Sequence, residues 1–490
     1  MKRRDFLKAL GVATLVGAVQ SKDVPRQRRN SRRRPDVIFI AIEDIAPLMG
    51  CYGHPVVKTP NIDALASRGV VFNNAYCQVA VCNPSRASVS TGLRPGTLGV
   101  FGNSVDWRRR IPAGMLTLPE FFRDNGYETA ICGKIHHHQR YFKDASEQAQ
   151  QREDRMWNRT LRAKSKGSTK PAIRPKAKRP PWLEEDHYIA RSLKWGPTGL
   201  TDGQQRDGAI AHAVAEELSS RREKPLFMAV GFHSPHYELR APDKYFEMYP
   251  PEEIVLPKNP ANDLADVPHK YSTFNTADDR WLSKAEKRQV IAAYYACLSY
   301  VDTCVGIIMD ALKQTGRENE TIVCLWGDHG MHMGEHFLFR KYTLFENAAR
   351  VPLVIAAPGA AKAGAVCNRL VELIDMYPTL ADLAGLGVPG GLEGTSMRPV
   401  LQEPDRPWKK AAFTSQSSTN HSLRTERWRY TEWGGSENAE LYDHDNDPGE
   451  FNNLAEDPRH SATVAELSRL LKAGWKSALP RSKQQFCTTS

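Results

Sequence analysis

No Cys-x-x-Cys pair occurs in the 490 residues, so the common zinc spacings are missing, and no solenoid-type period recurs. No apolar run reads as long enough to cross a bilayer, and no stable membrane anchor is expected. Acidic residues are missing locally. Residues 160–181 hold eight Lys/Arg and no Asp or Glu, while residues 1–34 hold eleven Lys/Arg against two Asp. These stretches supply +8 and +9 of a formal net charge of +11, which leaves −6 on the rest. A mildly acidic body lacks the broad basic face that nucleic-acid binding needs, so no such partner is expected. The nine cysteines are an odd number, and Cys132 and Cys324 sit inside apolar runs where a small buried thiol is the default. Few disulfides, if any, are expected.

Met1-Lys2-Arg3-Arg4-Asp5-Phe6-Leu7-Lys8 leads into an apolar stretch from Ala9 to Val19. This resembles a twin-arginine type export signal, so residues 1–34 read as a signal and basic linker, and the mature chain is expected in the periplasm or outside a bacterial cell.

From Pro35 the chain alternates apolar runs with helix-like stretches, which predicts an α/β fold: a mostly parallel central sheet with helices on both faces. Asp36–Ile42, Thr129–Cys132, Leu226–Val230 and Thr321–Trp326 read as buried strands. Asn61–Ser67, Leu118–Asn125, Asp207–Arg221, Lys284–Thr315 and Asp375–Ala384 read as helices. Residues 35–405 would form this α/β domain, with 160–181 an exposed basic insertion that either gathers polyanions by long-range attraction or is merely solvated. Beyond residue 405 the pattern changes. Leu423–Trp433 alternates like one exposed antiparallel strand, Ala439–Asp443 follows, and a last helix spans Ser461–Ser477, so 406–490 reads as a small C-terminal domain with an antiparallel sheet.

Each of the four strands is followed at once by charged or imidazole groups: Glu43-Asp44, Lys134 with His136-His137, His233, and Asp328-His329. In open α/β sheets ligands bind at the carboxyl ends of strands, so these ends can share one pocket. Between them in sequence lies Cys82-Asn83-Pro84-Ser85-Arg86, a thiol, a proline, a hydroxyl and a guanidinium at a predicted helix start. Pro84 presets φ for the first turn, Ser85 can serve the orphan amides there, and Gly92 can end the helix.

Cys-x-Pro-Ser-Arg followed by Thr91-Gly92-Leu93-Arg94 resembles the signature of the type I sulfatases, members of the alkaline phosphatase superfamily. Gly50-Cys51-Tyr52-Gly53, Thr59-Pro60-Asn61-Ile62-Asp63, Gly327-Asp328-His329-Gly330, Gly334-Glu335-His336 and Asp447-Pro448-Gly449-Glu450 extend the resemblance over residues 36–455, most closely to the iduronate-2-sulfatase branch. The resemblance implies that Cys82 is oxidised to formylglycine by a formylglycine-generating enzyme, and that its hydrate attacks a sulfate ester, here of a sulfated carbohydrate. It places the metal ligands on Glu43, Asp44, modified Cys82, Asp328 and His329, and the sulfate-binding set on Arg86, Lys134, His137, His233 and Lys341. Three carboxylates and an imidazole suit a hard divalent cation, Ca²⁺ in the simplest case, with Mg²⁺ and Mn²⁺ open. His233 is the candidate acid for the leaving alcohol and His137 the candidate base, with His136 and His138 competing for the latter role. Two departures stand out: Glu43 replaces the family's usual Asp, and three histidines follow Ile135. The alternatives are a phosphodiesterase or phosphonate hydrolase of the same superfamily and a catalytically silent glycan-binding protein.

Overall fold

Seven consecutive buried residues, Asp36–Ile42, form the central strand of the main sheet in a computed structural model that describes residues 33–137, 142, 144, 146–176, 192–268 and 282–480. The export-signal stretch, His138, Cys487 and the insertion beyond residue 176 lie outside the described residues. Numbered along the chain, the strands are β1 (Asp36–Ile42), β2 (Val70–Tyr76), β3 (Glu128–Gly133), β4 (Arg159–Thr160), β5 (Trp195–Pro197), β6 (Leu226–Phe232), β7 (Leu239–Ala241), β8 (Thr321–Gly327), β9 (Arg350–Val351), β10 (Leu353–Ala356) and β11 (Ala365–Glu372). A second sheet uses β12 (Ala412–Ser415), β13 (Asn420–Arg424), β14 (Trp428–Trp433) and β15 (Ala439–Asp443).

The large sheet runs β11-β2-β10-β8-β1-β6-β3-β4, with β9 beside β2, and β5 pairs with β7 apart from it. β1 is parallel to both β6 and β8, β3 is parallel to β6, and β10 runs antiparallel to β8 and β2. Alternate side chains of β1 feed two cores, as a strand's period of two requires. Ile38, Ile40 and Ile42 pack with Val290, Val301 and Val305 of the helix Lys284–Gln314, and Val37, Phe39 and Ala41 lie on the face of Phe122, Met376 and Leu380.

The helix Lys284–Gln314 opens on a capping box between Ser283 and Glu286. The expectation that no apolar run could span a bilayer is corrected here. By length and composition this helix could, but 83% of its most apolar stretch is buried, so its apolar surface faces the protein core.

The C-terminal reading also changes. Leu423–Trp433 is two strands of one hairpin, because Thr425 turns the chain by accepting and donating hydrogen bonds with Trp428, and alternation alone does not register so short a turn. The last α-helix stops at Ala473, where Gly474 takes φ 74°, and a short 3₁₀ turn, Trp475–Ala478, follows. Arg34–Ser490 is one compact unit, in which the second sheet is tied to the first by Lys409. Its Nζ lies 2.7 Å from Glu372 Oε2 and from both oxygens of Asp375.

Candidate active site

Register brings the strand ends together. Ile42 pairs with Phe232 on one side and Gly327 on the other, and Gly133 pairs with Gly231, so Glu43-Asp44, His233, Asp328-His329 and Lys134 leave the sheet at one edge. Glycine is required where β3 and β6 end. A Cβ on Gly231 would stand 2.0 Å from Lys134 O, and Gly133 has φ +81°. Lys134 reaches the pocket only because those backbones approach so closely.

The helix Cys82–Thr91 begins at the same edge and is buried at all ten positions. Ser85 does not cap it. Its hydroxyl donates to the backbone carbonyl of Asp328, and the amide of Ser85 bonds to Val81 O at 3.1 Å. The start of the helix is instead held by Asn83, whose Nδ2 donates to Gly102 O and Val105 O at 3.0 and 2.9 Å. Gly92 ends the helix at φ 69°. Arg94, the last residue of the signature, turns away and makes a two-pronged pair with Glu372 at 2.8 Å per bond.

Around Cys82 Sγ stand Lys341 Nζ at 3.1 Å, His329 Nε2 at 3.2 Å, Glu43 Oε1 at 3.4 Å and Asp44 Oδ1 at 3.7 Å. Glu43, despite its longer side chain, therefore reaches the same point as Asp44. Asp328 accepts from Arg86 Nε at 2.8 Å and from the amide of Asp44 at 3.0 Å. Arg86 Nη1 donates to the carbonyls of Lys134 and Ile135, at 2.6 and 2.9 Å, while Nη2 is buried without a hydrogen-bond partner among the described residues. Lys134 pairs with Glu43, and Lys341 Nζ lies 2.7 and 2.9 Å from the oxygens of Asp44. Lys341 is held in place from outside the large sheet: Tyr342, at φ 76°, donates its amide to Ala80 O and accepts from Gln416 Nε2, next to β12, at 3.0 Å each.

Burial opposes ionisation of Glu43, but His236, Lys134 and His233 outweigh it and hold the carboxyl well below its usual range. Asp44 is likewise held well below, burial being overcome by Lys341, His236 and His329. The Cys82 thiol is pushed well above its ordinary value by burial, with Lys341 opposing. Unmodified, it is a protonated thiol and a poor nucleophile at neutral pH.

Of the three histidines after Ile135, the two among the described residues, His136 and His137, have different surroundings. His136 is engaged in structure, with Nδ1 2.9 Å from Glu153 Oε1 and Nε2 2.8 Å from Ser90 Oγ. His137 is buried in the field of Lys134, Glu43, Arg86 and Lys341. Burial first, then Lys134, pushes its imidazole down to about 3.

His233 Nδ1 lies 2.9 Å from Glu43 Oε2, and its amide and that of Ser234 donate to Asp207 at 2.9 and 2.8 Å. The sequence reading missed His236, whose Nε2 is 3.7 Å from Glu43 Oε1 and 3.9 Å from Asp44 Oδ2. The spacing His233-Ser234-Pro235-His236 was the available signal. His336, in a motif that counted toward the resemblance, is elsewhere, stacked on Phe345 at 4.1 Å and paired with Asp263.

Two overlapping sets of donor atoms each fall within 4.8 Å of one another: Asp44, Cys82, Asp328 and His329, and Glu43, Asp44, Cys82 and His236. Three carboxylates and few imidazoles form an oxygen-dominated set that fits a hard divalent cation. Against those three carboxylates stand three cations, Arg86, Lys134 and Lys341, so the protein groups nearly cancel. An added divalent ion would leave the excess positive charge that a sulfate ester's transition state requires.

The sulfatase family model matches residues 35–386, and the C-terminal model of N-sulphoglucosamine sulphohydrolase matches 334–476. A sulfatase of Formosa agariphila is 31% identical over 96% of this chain and 92% of its own length. Mouse iduronate 2-sulfatase is 29% identical over 88% and 93%. The phosphonate monoester hydrolase of Agrobacterium radiobacter superposes with a TM-score of 0.73 at 24% identity, covering 90% of this chain and 95% of that one, which shows a shared fold. The chain belongs to the sulfatase family, type I enzymes of the alkaline phosphatase superfamily. It is a sulfuric ester hydrolase.

Proposed function

We propose that this chain removes sulfate from sulfated carbohydrates through a formylglycine made from Cys82, with a divalent cation, Ca²⁺ in the simplest case and Mg²⁺ or Mn²⁺ otherwise. The observation that carries the reading is the position of Cys82 Sγ, within 3.7 Å of Glu43, Asp44, His329 and Lys341 at once. The formylglycine hydrate would supply the nucleophile, and a cation held by Glu43, Asp44, Asp328 and His329 would polarise the sulfate oxygens.

The remaining work belongs to side chains already in place. Arg86, oriented by Asp328 and two backbone carbonyls, has Nη2 left to donate to a sulfate oxygen. Lys134 and Lys341 add charge at the nonbridging oxygens. His233, about a third exposed, reaches solvent where a leaving alcohol would depart and can protonate it, while the more buried His236 has a ring nitrogen within 4.8 Å of Cys82 Sγ. His137 is neutral at working pH and can take the proton whose loss frees the sulfate.

The carbohydrate assignment is supported by relatives whose names specify a sulfated sugar, iduronate 2-sulfatase among them. A formylglycine-generating enzyme would act before export, and Arg3-Arg4 ahead of Phe6-Leu7-Lys8 supports export to the periplasm or beyond, which cell fractionation checks. Peptide mass at residue 82 should show the aldehyde. Cys82→Ala should abolish hydrolysis of 4-nitrophenyl sulfate while the protein stays folded, because a small side chain leaves without opening a large cavity. Full activity in that variant would overturn the mechanism.

A further inference from the structure

The basic stretch after β4 does not hang free over the part the structure describes. Lys166 donates its amide to Gln204 O, Thr169 to Thr198 O, and Ile173 pairs with Trp195. Arg240 anchors the stretch from below, with Nη2 donating to Ser168 Oγ, Lys170 O and Pro197 O at 2.5, 2.6 and 3.1 Å. The anchored segment lines a cleft of about 590 Å³ together with His233, Ser234, Arg206 and Arg240. That volume lies within the range of small-ligand sites, about 300–1,000 Å³. His233 belongs to both places: it lines the cleft and contacts Glu43 of the catalytic pocket at 2.9 Å.

The charge of this cleft is unevenly spent. Its two carboxylates are engaged, Asp207 by the amides of His233 and Ser234 and Glu238 by Lys194. Lys170 is paired with Asp243. Lys166 and Arg206 are exposed and form no ion pair among the described residues, and the buried Nε of Arg240 has no hydrogen-bond partner there. Two unpaired cations and a spare guanidinium donor thus line the same cleft as His233, the residue proposed to protonate the leaving alcohol.

We infer that this cleft is a subsite for the sugar that carries or adjoins the leaving oxygen, and that Lys166 and Arg206 bind a second acidic group on it, a carboxylate or another sulfate. The inference rests on the sulfatase reading and narrows it to oligosaccharides with a further negative charge next to the sulfate ester that is cleaved. It also assigns the anchored part of the insertion a short-range contact in place of long-range steering.

The test separates the subsite from the chemistry by reading binding in a protein that cannot react. Cys82→Ala and Cys82→Ala/Lys166→Gln/Arg206→Gln are titrated by calorimetry, in 50 and 300 mM NaCl, with glycosaminoglycan disaccharides bearing one sulfate ester and one carboxylate, and with their carboxyl-reduced counterparts. The expected result is at least tenfold weaker binding of the acidic disaccharides by the triple variant at both salt concentrations. The carboxyl-reduced sugars should be bound alike by the two proteins. In the Cys82 enzyme, Lys166→Gln/Arg206→Gln should change 4-nitrophenyl sulfate hydrolysis less than twofold. Unchanged binding of the acidic sugars, no binding by either protein, or a loss confined to 50 mM salt, where charges act over longer distances, would overturn the subsite. Failure of the wild-type enzyme on every sulfate ester would instead overturn the sulfatase chemistry, and the calorimetry would still decide the cleft.

Discussion

Replacing Lys409 by methionine should destabilise the protein by an amount that depends on pH in a calculable way. The Lys409 side chain is 1% exposed, and its Nζ lies 2.7 Å from Glu372 Oε2 and from both Asp375 oxygens. Methionine keeps most of the volume and removes the charge. Glu372 retains Arg94, but Asp375 keeps only the amides of Glu372 and Thr395, so one buried carboxylate loses its counter-ion. Breaking a buried pair in this way costs about 3–5 kcal/mol. Protonation sets a ceiling on that cost. Taking a carboxyl with an ordinary pKa of about 3.9 to its neutral form costs about 4 kcal/mol at pH 7 and about 1.5 kcal/mol at pH 5. Burial already raises Asp375, which favours this escape. Urea unfolding followed by tryptophan fluorescence, with Trp475 5.0 Å from Arg94 as a nearby reporter, should show a deficit that shrinks between pH 7 and pH 5. A deficit under 1 kcal/mol at pH 7, or one that does not change with pH, would refute the argument.

Asp44→Asn and Asp328→Asn should each lower bound divalent metal and rate together, and an active preparation without divalent metal by elemental analysis would remove the cation from the proposal. His137→Ala should reduce kcat by about 10²–10⁴-fold in the fraction that stays folded, whereas His136→Ala should lower Tm through lost contacts with Glu153 and Ser90 and spare most of the rate; steady-state kinetics below the melting transition separate the two. Burial raises Asp302 to about 6, against the donors of Asn61 and Ile62 that lower it. An acid whose pKa is higher folded than unfolded contributes stability below about pH 4 that is lost as pH rises through 6, at up to about 1.4 kcal/mol per pH unit. Asp302→Asn should remove that fall in urea titrations between pH 4.5 and 6.5, and an unchanged slope would refute it.

The amino-acid sequence by itself determines whatever depends on neighbours in the chain. β1, β3, β6 and β8 are nearly continuous apolar runs because a parallel strand buried on both faces has no polar alternation to keep. Cys82 to Arg86 announces a helix start, and the residues just past each strand announce chemistry, because turns, caps and strand ends are local. The sheet order decided the rest. Glu43 and Asp328 are far apart in sequence and meet because β1 lies beside β8, and Cys82 joins them because Ser85 ties its helix to Asp328. His236 could not be told from an ordinary loop histidine until Glu43 and Asp44 stood beside it. Ser85 and Arg94 lie inside the signature, yet one ties the helix to Asp328 and the other holds Glu372 for the C-terminal sheet. A side chain's polar atoms are satisfied by whatever the fold brings within about 3 Å, and partners separated by two or three hundred residues leave no local trace in the chain. The same reason hid the basic insertion's place as a cleft wall: its charge is a property of composition, but its anchoring by Arg240 and its position next to His233 exist only in the folded chain.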